Sequence, residues 1–173
     1  PFSDFIFGDY SQFMKQNFDA YLKTREPYSG RSFEEFSVDR ERAIPVTSAM
    51  ESWQSLFPKS KLRLSRHEKI REVMVELLKS PAGVTWEIAR ASTNPSLRIQ
   101  DCEHLVEAMQ DPEHSNSTLR QMFKDALHSV DQEDLGRTNE RRRWIEALFQ
   151  RHNKSLYKAF GFDNRFDQSE PIS

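Results

Sequence analysis

Apolar positions recur at helical spacing along the whole chain. Ile70, Val73, Met74, Leu77 and Leu78 stand at i, i+3, i+4, i+7 and i+8, which draws one stripe on a helix and cannot alternate as a strand. Ser65 followed by Glu68 has the spacing of a capping box ahead of that stripe, and Pro81 and Gly83 close it. The segment 65–81 is sharply bounded, so the other elements are expected to fold around it. A second helix is predicted over Asp9–Lys23, where Tyr10, Phe13, Met14, Phe18, Tyr21 and Leu22 keep the same spacing. Before it, Phe2, Phe5, Ile6 and Phe7 make an aromatic arm whose rings are expected to pack on the domain's own core. Ser32 with Glu35 opens a short helix carrying Phe33 and Phe36. Ser48 with Glu51 opens another carrying Met50, Trp53, Leu56 and Phe57, which Pro58 ends.

Beyond Gly83, Thr85 is placed to cap a short helix to about Ser92. Asn94 then caps a helix with Pro95 in its first turn, bearing Ile99, Cys102, Leu105, Val106 and Met109. Thr118 with Gln121 opens a helix bearing Leu119, Met122, Phe123, Ala126, Leu127 and Val130. One long helix, Thr138 to Phe160, turns Trp144, Ile145, Leu148, Phe149, Leu156 and Phe160 inward and stops at Gly161. The expectation is an all-α fold, a single compact bundle of about seven or eight helices. It comprises the arm at 1–8, a helical domain over 9–162 and a frayed tail at 163–173. Leu77 and Trp144, each mid-stripe, are expected to share one core.

Composition adds bounds. The 173 residues suit one domain, and thirteen Phe are enough for a core. A net charge of −2 supplies no global drive toward nucleic acid or an anionic membrane. Cys102 is the single cysteine, which excludes an internal disulfide and a cysteine-built zinc site and fits a reducing compartment. No apolar run reaches membrane-span length and no charged-then-apolar leader opens the sequence. An intracellular, cytoplasmic location is the resulting expectation, with delivery as a secreted effector the alternative. Pro1 in place of Met suggests a domain cut from a longer chain.

Candidate chemistry is sparse. Residues 85–109 have the layout of a helix-turn-helix, with the small Ala89 in the first helix and Ile99 and Cys102 inward on the second. Arg98 and Gln100 would face outward as base readers, although Asp101, Glu103 and Glu107 would repel phosphate. Two basic clusters accompany them: Lys59, Lys61, Arg63, Arg66, Lys69 and Arg71, then Arg137, Arg141, Arg142, Arg143, Arg151, Lys154 and Lys158. Pairing of the Arg141–Arg143 run with Asp131, Glu133 and Asp134 is the intramolecular alternative. No two histidines stand at i, i+4, HExxH is absent, and no metal or other cofactor is expected. Neither GxSxG nor a phosphate-cradling glycine loop occurs, so no catalytic residue is assigned and the protein is not expected to be an enzyme. The reading is a protein–protein interaction module, an adaptor, effector domain or assembly subunit, whose basic helix faces meet an acidic partner. Its contact candidates are Lys59, Lys61, Arg63, Arg66, Arg98, Gln100, Arg141, Arg142, Arg143 and Arg151. The alternative is nucleic-acid binding through 85–109 and the basic clusters.

Overall fold

The computed structural model describes residues 1–57, 62, 64–66, 69–79 and 94–166. Among them lie α1 (Phe2–Thr24), a 3₁₀ turn (Pro27–Gly30), α2 (Phe33–Ala43), α3 (Val46–Leu56), α4 (Ile70–Leu78), α5 (Ile99–Gln110), α6 (Asn116–His128), α7 (Asn139–Leu148) and α8 (Gln150–Phe160). No strand occurs among the described residues, so the fold is all-α, as the spacing predicts. Two units separate within it: Pro1–Ile44 with Asn94–Phe149, and Pro45–Thr93 with Gln150–Ser173.

In the first unit α1 is the central element. Residues 2–8 form its opening turns, and Phe2, Ile6, Phe7, Tyr10, Met14, Phe18 and Leu22 bury one stripe along its length. α5 and α7 pack against it, with α2 beside it and α6 against α5. After α1 the 3₁₀ turn folds Tyr28 back: its ring stacks on Tyr10 at 4.0 Å between centroids and its hydroxyl donates to the Tyr10 carbonyl at 2.8 Å. Tyr28 and Ser29 hold φ of 53° and 60° to do this. Each such residue costs on the order of 1–3 kcal/mol, which the surrounding rings of Tyr10 and Phe36 and the buried hydrogen bond offset.

The start of α5 differs from the expectation at Asn94 and Pro95. Lys15 instead holds that pair, its ammonium donating to the Asn94 side chain and, at 2.8 Å, to the Pro95 carbonyl. The Leu97 amide donates to Ser11 Oγ at 2.6 Å. The helix begins four residues later, where the Asp134 carboxylate accepts the Ile99 amide with both oxygens at 3.0 Å. A carboxylate at a helix N-terminus satisfies an orphan amide and opposes the dipole. Close approach there requires glycine, because a Cβ on Gly136 would lie 2.7 Å from Ile99 Cβ and 2.8 Å from the Gln100 amide nitrogen.

Other helix starts vary in how well they match. The Ser32–Glu35 box forms completely. The N-cap of α6 lies three residues before the predicted Thr118, since Ser115 accepts the Thr118 amide. Thr138 caps α7 as its position suggests. The long helix expected over 138–160 divides at Phe149, which is buried and stacks on Phe2 at 4.6 Å.

In the second unit α3 lies alongside α8, which buries Asn153 and Leu156. Asp163 binds the Arg165 guanidinium at 3.0 and 2.8 Å, and the Arg165 carbonyl accepts from Arg66 at 2.7 Å. The Arg165 hydrogen bond holds the Asp163 carboxyl below its usual pKa range. α4 starts with Lys69 as N-cap and without a side-chain cap; Glu68 of the expected box lies outside the described residues. Neither α3 nor α4 buries a single residue.

The shared core expected for Leu77 and Trp144 is therefore corrected: Leu77 is 61% exposed and Trp144 37% exposed. On α7 the inward arc centres on Ile145 and Phe149, both fully buried. At roughly 100° per residue, Trp144 stands off its edge, and Arg141 and Arg142 fall within it. Truncating a buried leucine should cost roughly 2–5 kcal/mol. Truncating an exposed one should change stability within about 0.5 kcal/mol. Urea unfolding of Leu105→Ala and Leu77→Ala should show that contrast; equal losses would contradict this account of the core.

Candidate interaction surface

The fold engages much of the positive charge of the first unit internally. Arg98 makes two bonds of 2.8 Å to Asp101 and one of 2.9 Å to Gln132. Its pKa is raised, chiefly by the Asp101 hydrogen bond. Gln100 accepts the Leu135 amide at 2.6 Å. Both groups thus help fasten α5 to the loop before α7. The first helix of the helix-turn-helix reading, 85–92, lies outside the described residues, as do Lys59, Lys61 and Arg63.

Arg141 and Arg142 of α7 turn toward α1, α2 and α5. Arg141 binds Glu103 at 2.6 Å, reaches Glu34 at 3.6 Å and lies over the Phe33 ring at 5.0 Å. Arg142 binds Asp4 at 2.5 Å and lies over Phe7 at 5.5 Å. Arg137 covers Phe7 at 5.4 Å and pairs with Asp134 at 2.9 Å. The carboxylates that meet Arg141 and Arg142 come from α1, α2 and α5 and not from the preceding turn. An arginine over a ring buries its stem and leaves the guanidinium edge free for a carboxylate. Arg143 is exposed and has no partner among the described residues. A cleft of ≈ 520 Å³ in this unit is lined by Arg31, Arg40 and Arg42 over Phe13, Tyr21, Tyr28 and Phe36. Asp39 lies 2.9 Å from Arg31 and Asp9 lies 2.6 Å from Arg40, which neutralises two of its three charges.

The second unit has the opposite character. Trp53, Leu56 and Phe57 of α3 are between 48% and 74% exposed, with the Trp53 and Phe57 rings 4.9 Å apart. Ile70, Met74, Leu77 and Leu78 of α4 are between 40% and 61% exposed. Arg66 is half-buried against the Arg165 carbonyl, and Lys69, Arg71 and Lys79 are exposed around α4. Arg151 is exposed on α8. In sequence this unit carries 12 Lys and Arg against 8 Asp and Glu, whereas the first carries 13 against 19. The near-zero net charge therefore conceals a basic unit and an acidic one.

Periodicity located the stripes of α3 and α4 but assigned them to a core. A stripe records that a helix has an apolar side; what covers it is a tertiary fact. Among the described residues no group of three His, Cys, Asp or Glu is arranged to hold a metal ion. None of their helices is long and apolar enough to cross a membrane. Cys102 is buried, and burial pushes its thiol well above the range of a reactive cysteine.

Replacing Arg141 by Met should cost about 1–3 kcal/mol because Glu103 would lose its half-buried partner, while Arg143→Met should stay within about 0.5 kcal/mol. Equal effects in chemical denaturation would show that the arginine–aromatic face contributes no stability. No family model, no curated protein and no solved structure matches the chain, so the surface is read from its own chemistry.

Proposed function

We propose that this protein is a protein–protein interaction module, an adaptor, effector domain or subunit of a larger assembly, and that its second unit makes the contact. The observation that carries this reading is the exposure of Trp53, Leu56 and Phe57 on α3 and of Ile70, Met74, Leu77 and Leu78 on α4. Contiguous apolar side chains rimmed by charge mark interaction sites on soluble domains. Aromatic and long aliphatic anchors are the groups that dominate such contacts. The basic excess of the unit favours a partner with an acidic surface. Nucleic-acid binding draws less support, because the outward-facing readers it needs, Arg98 and Gln100, are engaged with Asp101, Gln132 and Leu135.

The test is a photo-crosslinking amino acid at Leu77 of the intact chain, compared with the same amino acid at Arg143, in extract of the source organism. Discrete protein adducts from Leu77, absent from Arg143 and unchanged by nuclease, are expected. Equal labelling from both positions, or adducts that nuclease removes, would contradict the reading.

A further inference from the structure

The cleft of ≈ 520 Å³ formed by α1, the 3₁₀ turn and α2 lies wholly in the first unit, apart from the interaction surface proposed above. Small-molecule sites are concave, mostly apolar and furnished with a few polar groups, at volumes of about 300–1,000 Å³. Of its four rings, Tyr28 and Phe36 are buried, whereas Phe13 and Tyr21 are half-buried and keep ring surface uncovered. The Tyr28 hydroxyl is engaged by the Tyr10 carbonyl, and the Tyr21 hydroxyl accepts the Tyr28 amide. Both tyrosines therefore offer the cleft hydrocarbon and not a free phenol.

Charge narrows the choice of ligand. Arg40 lies over Phe13 at 5.5 Å and within 2.6 Å of Asp9. Arg31 lies 2.9 Å from Asp39. Arg42, three residues after Asp39 and so on the same side of α2, is exposed and has no partner among the described residues. Three guanidiniums against two carboxylates leave the cleft one positive charge. Ser29 also lines it, with a hydroxyl that makes no hydrogen bond among the described residues.

We infer that this cleft is a binding site for a small aromatic carboxylate. The flat ring of the ligand covers Phe13 and Tyr21, and its carboxylate pairs with Arg42. A guanidinium suits a carboxylate through parallel N–H donors, and ring pairs gain beyond the area they bury. An ammonium ligand would find the rings attractive, but it would face three guanidiniums while both carboxylates are already taken. A dianion would bring one charge more than the cleft leaves unpaired. A neutral ring would cover the aromatic surface and leave Arg42 without a partner.

The test titrates the intact, isotope-labelled chain with 2-naphthoate and follows backbone amide shifts by NMR. Saturable shifts should centre on Tyr21, Ser29, Arg42 and Ala43, with a Kd of about 1 mM or below, as expected for a fragment of this size. 2-Naphthamide, 2-naphthylmethylammonium and hexanoate should each bind about fivefold or more weakly, and 2-naphthyl phosphate no more tightly than the carboxylate. Arg42→Gln should bring 2-naphthoate down to the affinity of the amide and leave the amide's own affinity unchanged. No saturable shift, or shifts centred on α3 or α4, would overturn the inference. So would an ammonium or a ringless acid that binds as well as 2-naphthoate, or a phosphate that binds markedly better. A preference for acid over amide that survives Arg42→Gln would also overturn it. A marked fall in Tm for Arg42→Gln would do the same, by showing that the chain already holds this arginine.

Discussion

An amphipathic helix is stable in water when its apolar stripe is covered, because a short helix gains too little from its own hydrogen bonds to offset the cost of nucleation. α1 meets that condition along its whole length: seven large apolar or aromatic side chains from Phe2 to Leu22 are buried. α4 does not meet it. Its nine residues fall below the length at which isolated helices persist, and it buries none of them. α3, at eleven residues, shares the condition. The two units of one chain thus treat the same kind of sequence pattern in opposite ways, and this difference carries the functional reading.

Charge follows the same division. In the first unit the arginines at 137, 141 and 142 lie over Phe7 and Phe33 and bind Asp134, Glu103 and Asp4. They close the gap between α7 and the aromatic side of α1 and α2, where a purely apolar residue would leave those acids unpaired. Their cost of ordering is met by partners inside the unit, which leaves little positive charge for recognition. In the second unit Arg71 stands exposed at the edge of the apolar arc of α4, and Lys69 shares a cleft with Glu72 and Glu76.

Much of the fold was legible from the sequence. Helical spacing identified the all-α class, and the Ser32–Glu35 box and the Thr138 cap were readable because their partners are three residues away. The Asp134 cap on Ile99 was not readable, since it spans 35 positions and only tertiary packing brings the two together. Pro95 suggested a helix start because proline suits a first turn, but Lys15 and Ser11 hold that stretch against α1 instead. Size and spacing alone place Trp144 inward, yet Arg141 and Arg142 sit over Phe33 and Phe7 and occupy the buried arc of α7 instead. Charge in the sequence does not distinguish an arginine seated on a ring, such as Arg141, from one facing solvent, such as Arg143. The apolar residues that now define the candidate surface were visible, but periodicity assigned them to a core.

Hydrogen–deuterium exchange on the intact chain measures the central claim, that α4 lacks the cover α1 has. Backbone amides between 70 and 78 should exchange far faster than those between 6 and 22. Protection of α4 equal to that of α1 in the free protein would mean its stripe is already buried, and would contradict the account.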